Sequence, residues 1–223
     1  MKKFAIIVAG GVGTRMNSGI PKQFLILGGK PMLMYSIEAF FQAFTEISLI
    51  VALPANQFTA WQNLCDQYAF SLPHQLISGG ETRFHSVQHA LSVIEGDGLV
   101  AIHDGARPMI SVSLIQAAFL TAGEQGNCIP VIPVTESVRI LTEDTHSLTL
   151  KREVLRIVQT PQVFQVSVIK KAYEQEYRVN FTDDATVAES IGETINLIDG
   201  DPVNLKITHP YDLAAAEILL KNQ

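Results

Sequence analysis

The sequence predicts an α/β fold: a mainly parallel sheet with helices on both faces and a β-hairpin projecting from it. Three patterns predict this. Short, nearly continuous apolar runs alternate with segments of helical periodicity. Glycine-rich turns follow two of the runs. One later stretch alternates apolar and polar residues around a turn.

The runs "FAIIVAG" (4–10), "ISLIVALP" (47–54), "LVAIHDG" (99–105) and "CIPVIPV" (128–134) are rich in Val, Ile and Leu. Strands covered on both faces have this composition. Between them lie amphipathic stretches. Pro31 opens one helix, with Leu33, Ile37, Phe40, Phe41 and Phe44 on a common face. Residues 56–70, 82–94 and 111–123 read as three more. The alternation argues for parallel βα units. Residues 137–151, "SVRILTEDTHSLTLK", alternate around "EDTHS" and predict a hairpin, an arm marginal in water unless packed on something, such as a second subunit. Helices near 167–177, 183–191 and 211–221, a strand at 194–200 and the run 203–210 complete the chain.

The 223 residues are 47% hydrophobic and 17% charged, with no linker, charge run or internal repeat, so 1–223 reads as a single domain with 137–151 as its arm. The net charge of −6 and the scattered Lys and Arg give no basic stripe for nucleic acid. No apolar run is long enough for a membrane span or a signal peptide. Cys65 and Cys128 are the only cysteines and make neither a disulfide framework nor a zinc site, which fits a reducing cytoplasm.

The chemistry gathers at the predicted strand ends, where ligands bind in such sheets. In "AGGVGTRM", Gly10, Gly11 and Gly13 let backbone amides approach an anion closely. The spacing is neither that of a P-loop nor of a dinucleotide fingerprint. Arg15, and Lys22 in "PKQF", supply the positive charge that phosphoryl or nucleotidyl transfer requires. In "HDGARP", Asp104 ends a strand and is placed to hold Mg²⁺ against a triphosphate; the plainer reading is a carboxylate that caps the loop or pairs with Arg107. His103 reads as structural. His85 and His89, four apart on a helix, lack a third ligand and read as a surface pair. "GGETRFHS" is a second glycine pair before a helix, with Thr82 or Glu81 as its cap and Ser86 toward the ligand. Thr182 in "TDDAT" reads as another N-cap. Arg152 and Lys206 are further cations.

Taken in order, "AGGVGTRM", "IPKQF", "GGETRFHSV", "HDGARP", "QTPQVF", "TDDAT" and "NLKIT" span almost the whole chain, and the set resembles the 2-C-methyl-D-erythritol 4-phosphate cytidylyltransferase family. The resemblance implies a Rossmann-like nucleotidyltransferase fold. It implies that CTP and methylerythritol phosphate give CDP-methylerythritol and pyrophosphate, with Mg²⁺ as cofactor. It also implies a homodimer whose β-arm reaches the partner's site. Arg15 and Lys22 then match the cations that stabilise the transition state. Arg152, from the partner's arm, and Lys206 position methylerythritol phosphate. Asp104 matches the magnesium and substrate aspartate, and Arg107, Ser137 and Thr182 match substrate contacts. Ala9, Gly10, Gly11 and Gly13 match the triphosphate loop, and Gly80, Glu81 and Ser86 the cytidine-binding segment. Glu81 stands where aspartate is common, Gly105 where alanine is usual, Ser137 where threonine is, and Lys151 where aspartate is frequent. A ribitol-5-phosphate cytidylyltransferase carries similar glycine and "PKQF" signals, and the acceptor pocket around Arg107, Thr182 and Lys206 separates the two. A sugar-1-phosphate nucleotidyltransferase for UTP or GTP is a further alternative. A catalytically silent nucleotide-binding protein would lack Arg15, Lys22 or Asp104, and all three are present.

Overall fold

A computed structural model describes residues 1–11, 20–143 and 145–221. Its first strand is β1 (Lys2–Val8), followed by the short pair β2 (Ile26–Leu27) and β3 (Lys30–Pro31), helix α1 (Met32–Ala43) and β4 (Ser48–Leu53). Next come α2 (Phe58–Gln67), β5 (Gln75–Ser78), α3 (Arg83–Ser92), β6 (Gly98–Asp104), α4 (Val112–Gln125) and β7 (Asn127–Pro133). The hairpin strands β8 (Arg139–Leu141) and β9 (Ser147–Thr149) precede β10 (Arg156–Val158) and β11 (Gln162–Gln165). The chain continues through α5 (Val166–Ala172), α6 (Asp184–Glu189), β12 (Leu197–Asp199) and α7 (Pro210–Lys221).

β5, β4, β1 and β6 are parallel neighbours in that order. β11 then enters antiparallel between β6 and β7, and β10 and β12 both pair with β7. The sheet is therefore mixed with a parallel core. Side chains alternate between two cores, as the twofold period of a strand dictates. Ala5 and Ile7 of β1 and Leu99 and Ala101 of β6 face Leu33, Phe40, Trp61 and Ile115 of α1, α2 and α4. Phe4 and Ile6, with Val100 and Ile102, face Phe84, Leu91, Ile169 and Val187 of α3, α5 and α6. Both faces are covered, which is why the runs are almost uniformly apolar. A third cluster joins Leu27, Met32, Met109 and Ile207 to Ala216 of α7.

Most boundaries follow local chemistry. Ser111 caps α4, its Oγ accepting from the Leu114 amide at 3.3 Å, and Gly126 ends it at φ 92°. Pro31 stands one residue before α1 rather than inside it, because it also closes the β2–β3 pair. The helix expected over 167–177 ends at Ala172. The run 203–210 forms no strand; Ile207 in it donates its N–H to Ala106 O. The hairpin is present and exposed, with Ile140, Leu141 and Leu148 open to solvent. Both cysteines are free thiols. Among the described residues, no helix is long and apolar enough to cross a membrane.

Candidate active site

Because β1, β4 and β6 are parallel, their carboxyl ends meet on one edge. Backbone bonds fasten the loops that leave them: Ala9 N–H donates to Ala52 O, Gly79 N–H to Leu53 O and Gly105 N–H to Val8 O, at 2.8–2.9 Å. These loops enclose a cleft of about 280 Å³. Ala9, Gly10 and Gly11 line one side, and Gly80, Glu81 and Ser86 another. Lys22, Arg83, Asp104 and Lys206 also line it. Gly13 and Arg15 lie outside the described residues.

Each wall has a local cause. Lys22 begins a short helical turn, Lys22–Phe24, whose other residues are anchors. Phe24 stacks on buried Trp61 with centroids 5.8 Å apart, and Gln23 donates from Nε2 to Gln57 Oε1 at 2.6 Å. The "PKQF" motif thus buries its last two side chains and leaves the lysine on the cleft. Gly80 is required by a close approach. Its N–H donates to Ser86 Oγ at 3.0 Å, and a Cβ there would sit 2.4 Å from His85 Cβ. Thr82 caps α3 through the His85 amide, and Ser86 Oγ donates to Thr82 O at 3.0 Å. Ser86 therefore holds the second glycine loop against α3.

Asp104 is the electrostatic centre. Its Oδ2 meets Lys206 Nζ at 2.8 Å and Arg107 Nε at 3.8 Å, and its Oδ1 accepts from Arg83 Nε at 3.2 Å. Burial alone would push this carboxyl up, but Arg83, Lys206 and Arg107 outweigh it and hold it well below the usual carboxylate range. His103 supports the loop from behind. Its Nδ1 accepts from the Thr160 hydroxyl at 3.0 Å, Thr160 Oγ1 accepts from the Asp104 N–H at 3.1 Å, and His103 Nε2–H donates to Arg107 O at 3.1 Å. Burial lowers the imidazole to about 4, so it is neutral at pH 7, which suits these bonds.

Lys206 sits on a segment without regular structure, yet that segment is stitched down. Ile207 N–H donates to Ala106 O at 2.8 Å, and buried Asn204 donates from Nδ2 to Thr160 O at 2.9 Å. Arg107 donates from Nη1 to Asn204 O at 2.8 Å. Arg107 is thus buried behind Asp104 and ties the "HDGARP" loop to the Lys206 segment, while it does not line the cleft.

Three further candidate residues lie apart from this chain's cleft. Arg152 is exposed and donates to Thr135 O, and Ser137 and Thr182 lie outside the cleft as well. None of the three lines the cleft of this chain. Thr182 does not cap α6: Asp183 does, its Oδ1 accepting from the Thr186 amide at 3.0 Å while Thr186 Oγ1 accepts from Asp183 N–H at 3.3 Å. The reciprocal box fits only with Asp183 at the cap. This turns the next residue, Asp184, inward. His85 and His89 each have their own partner, Thr82 Oγ1 and Ser78 O, and share no site.

Sequence reasoning does not single out Arg83. It grips Asp184 with Nη1 and Nη2 at 2.8 and 2.6 Å while Nε reaches Asp104. Its signal is its place one residue past the Thr82 cap, which carries the side chain toward the same strand ends.

The donors suit a cation that arrives with a ligand. Among the described residues no cluster of three His, Cys, Asp or Glu exists. The cleft's acids are Asp104 and Glu81, and Mg²⁺ accepts one or two carboxylates when water and substrate phosphate complete its shell.

A family profile described as 2-C-methyl-D-erythritol 4-phosphate cytidylyltransferase matches residues 4–222. The chain is 48% identical over 220 residues to the protein of that name from Phocaeicola vulgatus, covering 99% of this chain and 100% of the relative. It is 46% identical to the one from Bacteroides thetaiotaomicron over 220 residues, 99% and 100% of the two chains. Among solved structures, the Francisella tularensis 2-C-methyl-D-erythritol 4-phosphate cytidylyltransferase superposes with a TM-score of 0.80 at 29% identity, covering 98% of this chain and 99% of that one. The Thermus thermophilus enzyme of the same name gives 0.75 at 28% identity, covering 97% and 98%.

Proposed function

Because the chain belongs to the 2-C-methyl-D-erythritol 4-phosphate cytidylyltransferase family, we infer how its cleft carries out that reaction. The enzyme joins CTP to 2-C-methyl-D-erythritol 4-phosphate, forming CDP-methylerythritol and releasing pyrophosphate, a step of isoprenoid biosynthesis. One observation carries the assignment of the cleft to this chemistry: glycine loops and the cations Lys22, Arg83 and Lys206 line a cleft around the ionised Asp104 at the carboxyl ends of parallel strands.

Ala9, Gly10, Gly11 and Gly13 receive the triphosphate, while Gly80, Glu81 and Ser86 hold the cytidine end. A phosphate oxygen of methylerythritol phosphate attacks the α-phosphorus in line, and the bond to the pyrophosphate oxygen breaks as the new P–O bond forms. The attacking phosphate is already ionised, so no general base is needed. Lys22 and Arg15 neutralise charge that grows on the departing pyrophosphate and the equatorial oxygens. Asp104 sets the position of Lys206, whose ammonium draws the acceptor phosphate into line, and Arg107 holds the loop that carries Asp104. Asp104 is also the residue that would hold Mg²⁺, which when bound supplies charge neutralisation between the phosphates.

Arg152, Ser137 and Thr182 complete the acceptor site. In this reading residues 137–151 form an arm of the single domain 1–223. The arm lies on a second subunit and delivers Arg152 to that subunit's cleft. Its exposed Ile140, Leu141 and Leu148 support packing against another surface. The arrangement makes a homodimer with two shared sites. The reading is tested by pyrophosphate release with CTP, UTP, GTP and ATP, each against methylerythritol phosphate and ribitol 5-phosphate. Turnover confined to CTP with methylerythritol phosphate supports it, and equal turnover with ribitol 5-phosphate refutes it.

A further inference from the structure

Asp184 has no part in the reaction as described, yet it is a fully buried carboxylate paired with Arg83, a cation that lines the cleft. Both of its oxygens accept from the Arg83 fork, and Tyr173 Oη donates to Oδ1 at 2.6 Å. A simple brace between α3 and α6 would use the Arg83 fork on Asp184 and no other carboxylate. Here the Nε–H also bonds Asp104 Oδ1, at 3.2 Å. A guanidinium is planar and rigid, so a fork fixed at its two ends also fixes the direction of Nε. The other oxygen of Asp104 holds Lys206 at 2.8 Å.

We propose that Arg83, clamped by Asp184 and Tyr173, is a positioning residue that orients the Asp104 carboxylate and, through it, the Lys206 ammonium toward the acceptor phosphate. The proposal rests on the cleft being the cytidylyl-transfer site. The charges explain why the clamp matters. With Asp184 neutral, the whole charge of Arg83 falls on Asp104 and competes with Lys206. With the fork lost, Asp104 leans on Lys206 and Arg107 alone, and the ammonium is withheld from the substrate. Either change misplaces the acceptor more than the nucleotide, whose loops are held by Ser86 at Gly80 and by the Ala9 N–H bond to Ala52 O.

The test compares Arg83→Lys, which keeps the charge but not the fork, with Asp184→Asn and Asp104→Asn. Thermal midpoints are taken first, and kinetics are then measured well below each midpoint. For Arg83→Lys and Asp184→Asn, kcat/KM for methylerythritol phosphate should fall about 10- to 100-fold while KM for CTP stays within about threefold, as expected for misplacement of one reactant. The double variant should be no worse than the more damaged single one, since both break one unit. Equal losses toward both substrates, or wild-type kinetics with only a lowered midpoint, would make the cluster a structural brace and overturn the proposal. Should Asp184→Asn fail to fold, Arg83→Lys decides alone. Full activity in Asp104→Asn would remove the cleft reading and the proposal together. An inactive Asp104→Asn beside a wild-type Arg83→Lys would remove only the proposal.

Discussion

His103 makes stability depend on pH, and the effect can be worked out from its surroundings. The ring is fully buried, donates to Arg107 O and accepts from Thr160, and burial lowers it to about 4. In the unfolded chain it titrates near 6.5. Below that pH the unfolded state takes up a proton that the folded state refuses, so stability falls as pH drops from about 6.5 toward 4 and then levels. At pH 5 the unfolded ring is almost wholly protonated and the folded ring about one-tenth so, which is about 2 kcal/mol of lost stability relative to pH 7.5. Urea unfolding at pH 7.5 and 5.0 measures the drop. His74 is also lowered by burial and adds a loss of the same sign, so the comparison is with His103→Asn. That variant should be less stable at pH 7.5, but its drop to pH 5.0 should be smaller by about 2 kcal/mol. Equal drops in the two proteins would show that His103 does not carry this pH dependence. Asp104 acts in a lower window: its carboxyl is held down by Arg83, Lys206 and Arg107, so its contribution is lost only as pH falls below the ordinary carboxylate range.

Gly80→Ala should lower the thermal midpoint by about 2–10 °C, because a Cβ at 2.4 Å from His85 Cβ and 3.0 Å from its carbonyl carbon forces backbone movement costing about 1–3 kcal/mol; calorimetry checks this, and KM for CTP should rise with it. Lys22→Ala and Arg15→Ala should each lower kcat by more than about 100-fold with the fold intact by circular dichroism, the scale of a lost electrostatic stabiliser. If Arg152 acts across the dimer and Lys206 within the subunit, the two alanine homodimers should each be nearly inactive. Mixed heterodimers should then recover activity toward half, and no recovery with heterodimers present would place both residues in one subunit's site.

The sheet is legible in the sequence because burial on both faces leaves an unmistakable apolar run, and the glycine loops are legible because they follow such runs. Strand direction is not: nothing in the period of "QTPQVF" says that β11 enters antiparallel between β6 and β7. Lys22, Gly10, Gly11, Gly80, Glu81, Ser86, Asp104 and Lys206 are each visible as candidates and do meet in one cleft. Thr182 reads as a cap because Thr and Asp both serve there, and only the reciprocal bond to Thr186 separates them. Arg83 stays hidden because its meaning lies in Asp184, 101 residues away. Arg107 reads as a substrate contact or as a partner of Asp104. The structure supports the plainer pairing and adds bonds to Asn204 and Val158 carbonyls that no spacing reveals.

The most direct test of the account is phosphorus NMR of the protein with CTP, methylerythritol phosphate and Mg²⁺. The acceptor's monophosphate signal should be replaced by a coupled pair of diphosphate-ester signals, with one free pyrophosphate formed per product. Lys22→Ala and Asp104→Asn should give the same products far more slowly. Release of inorganic phosphate without a new P–O–P linkage, or unchanged rates in both variants, would contradict it.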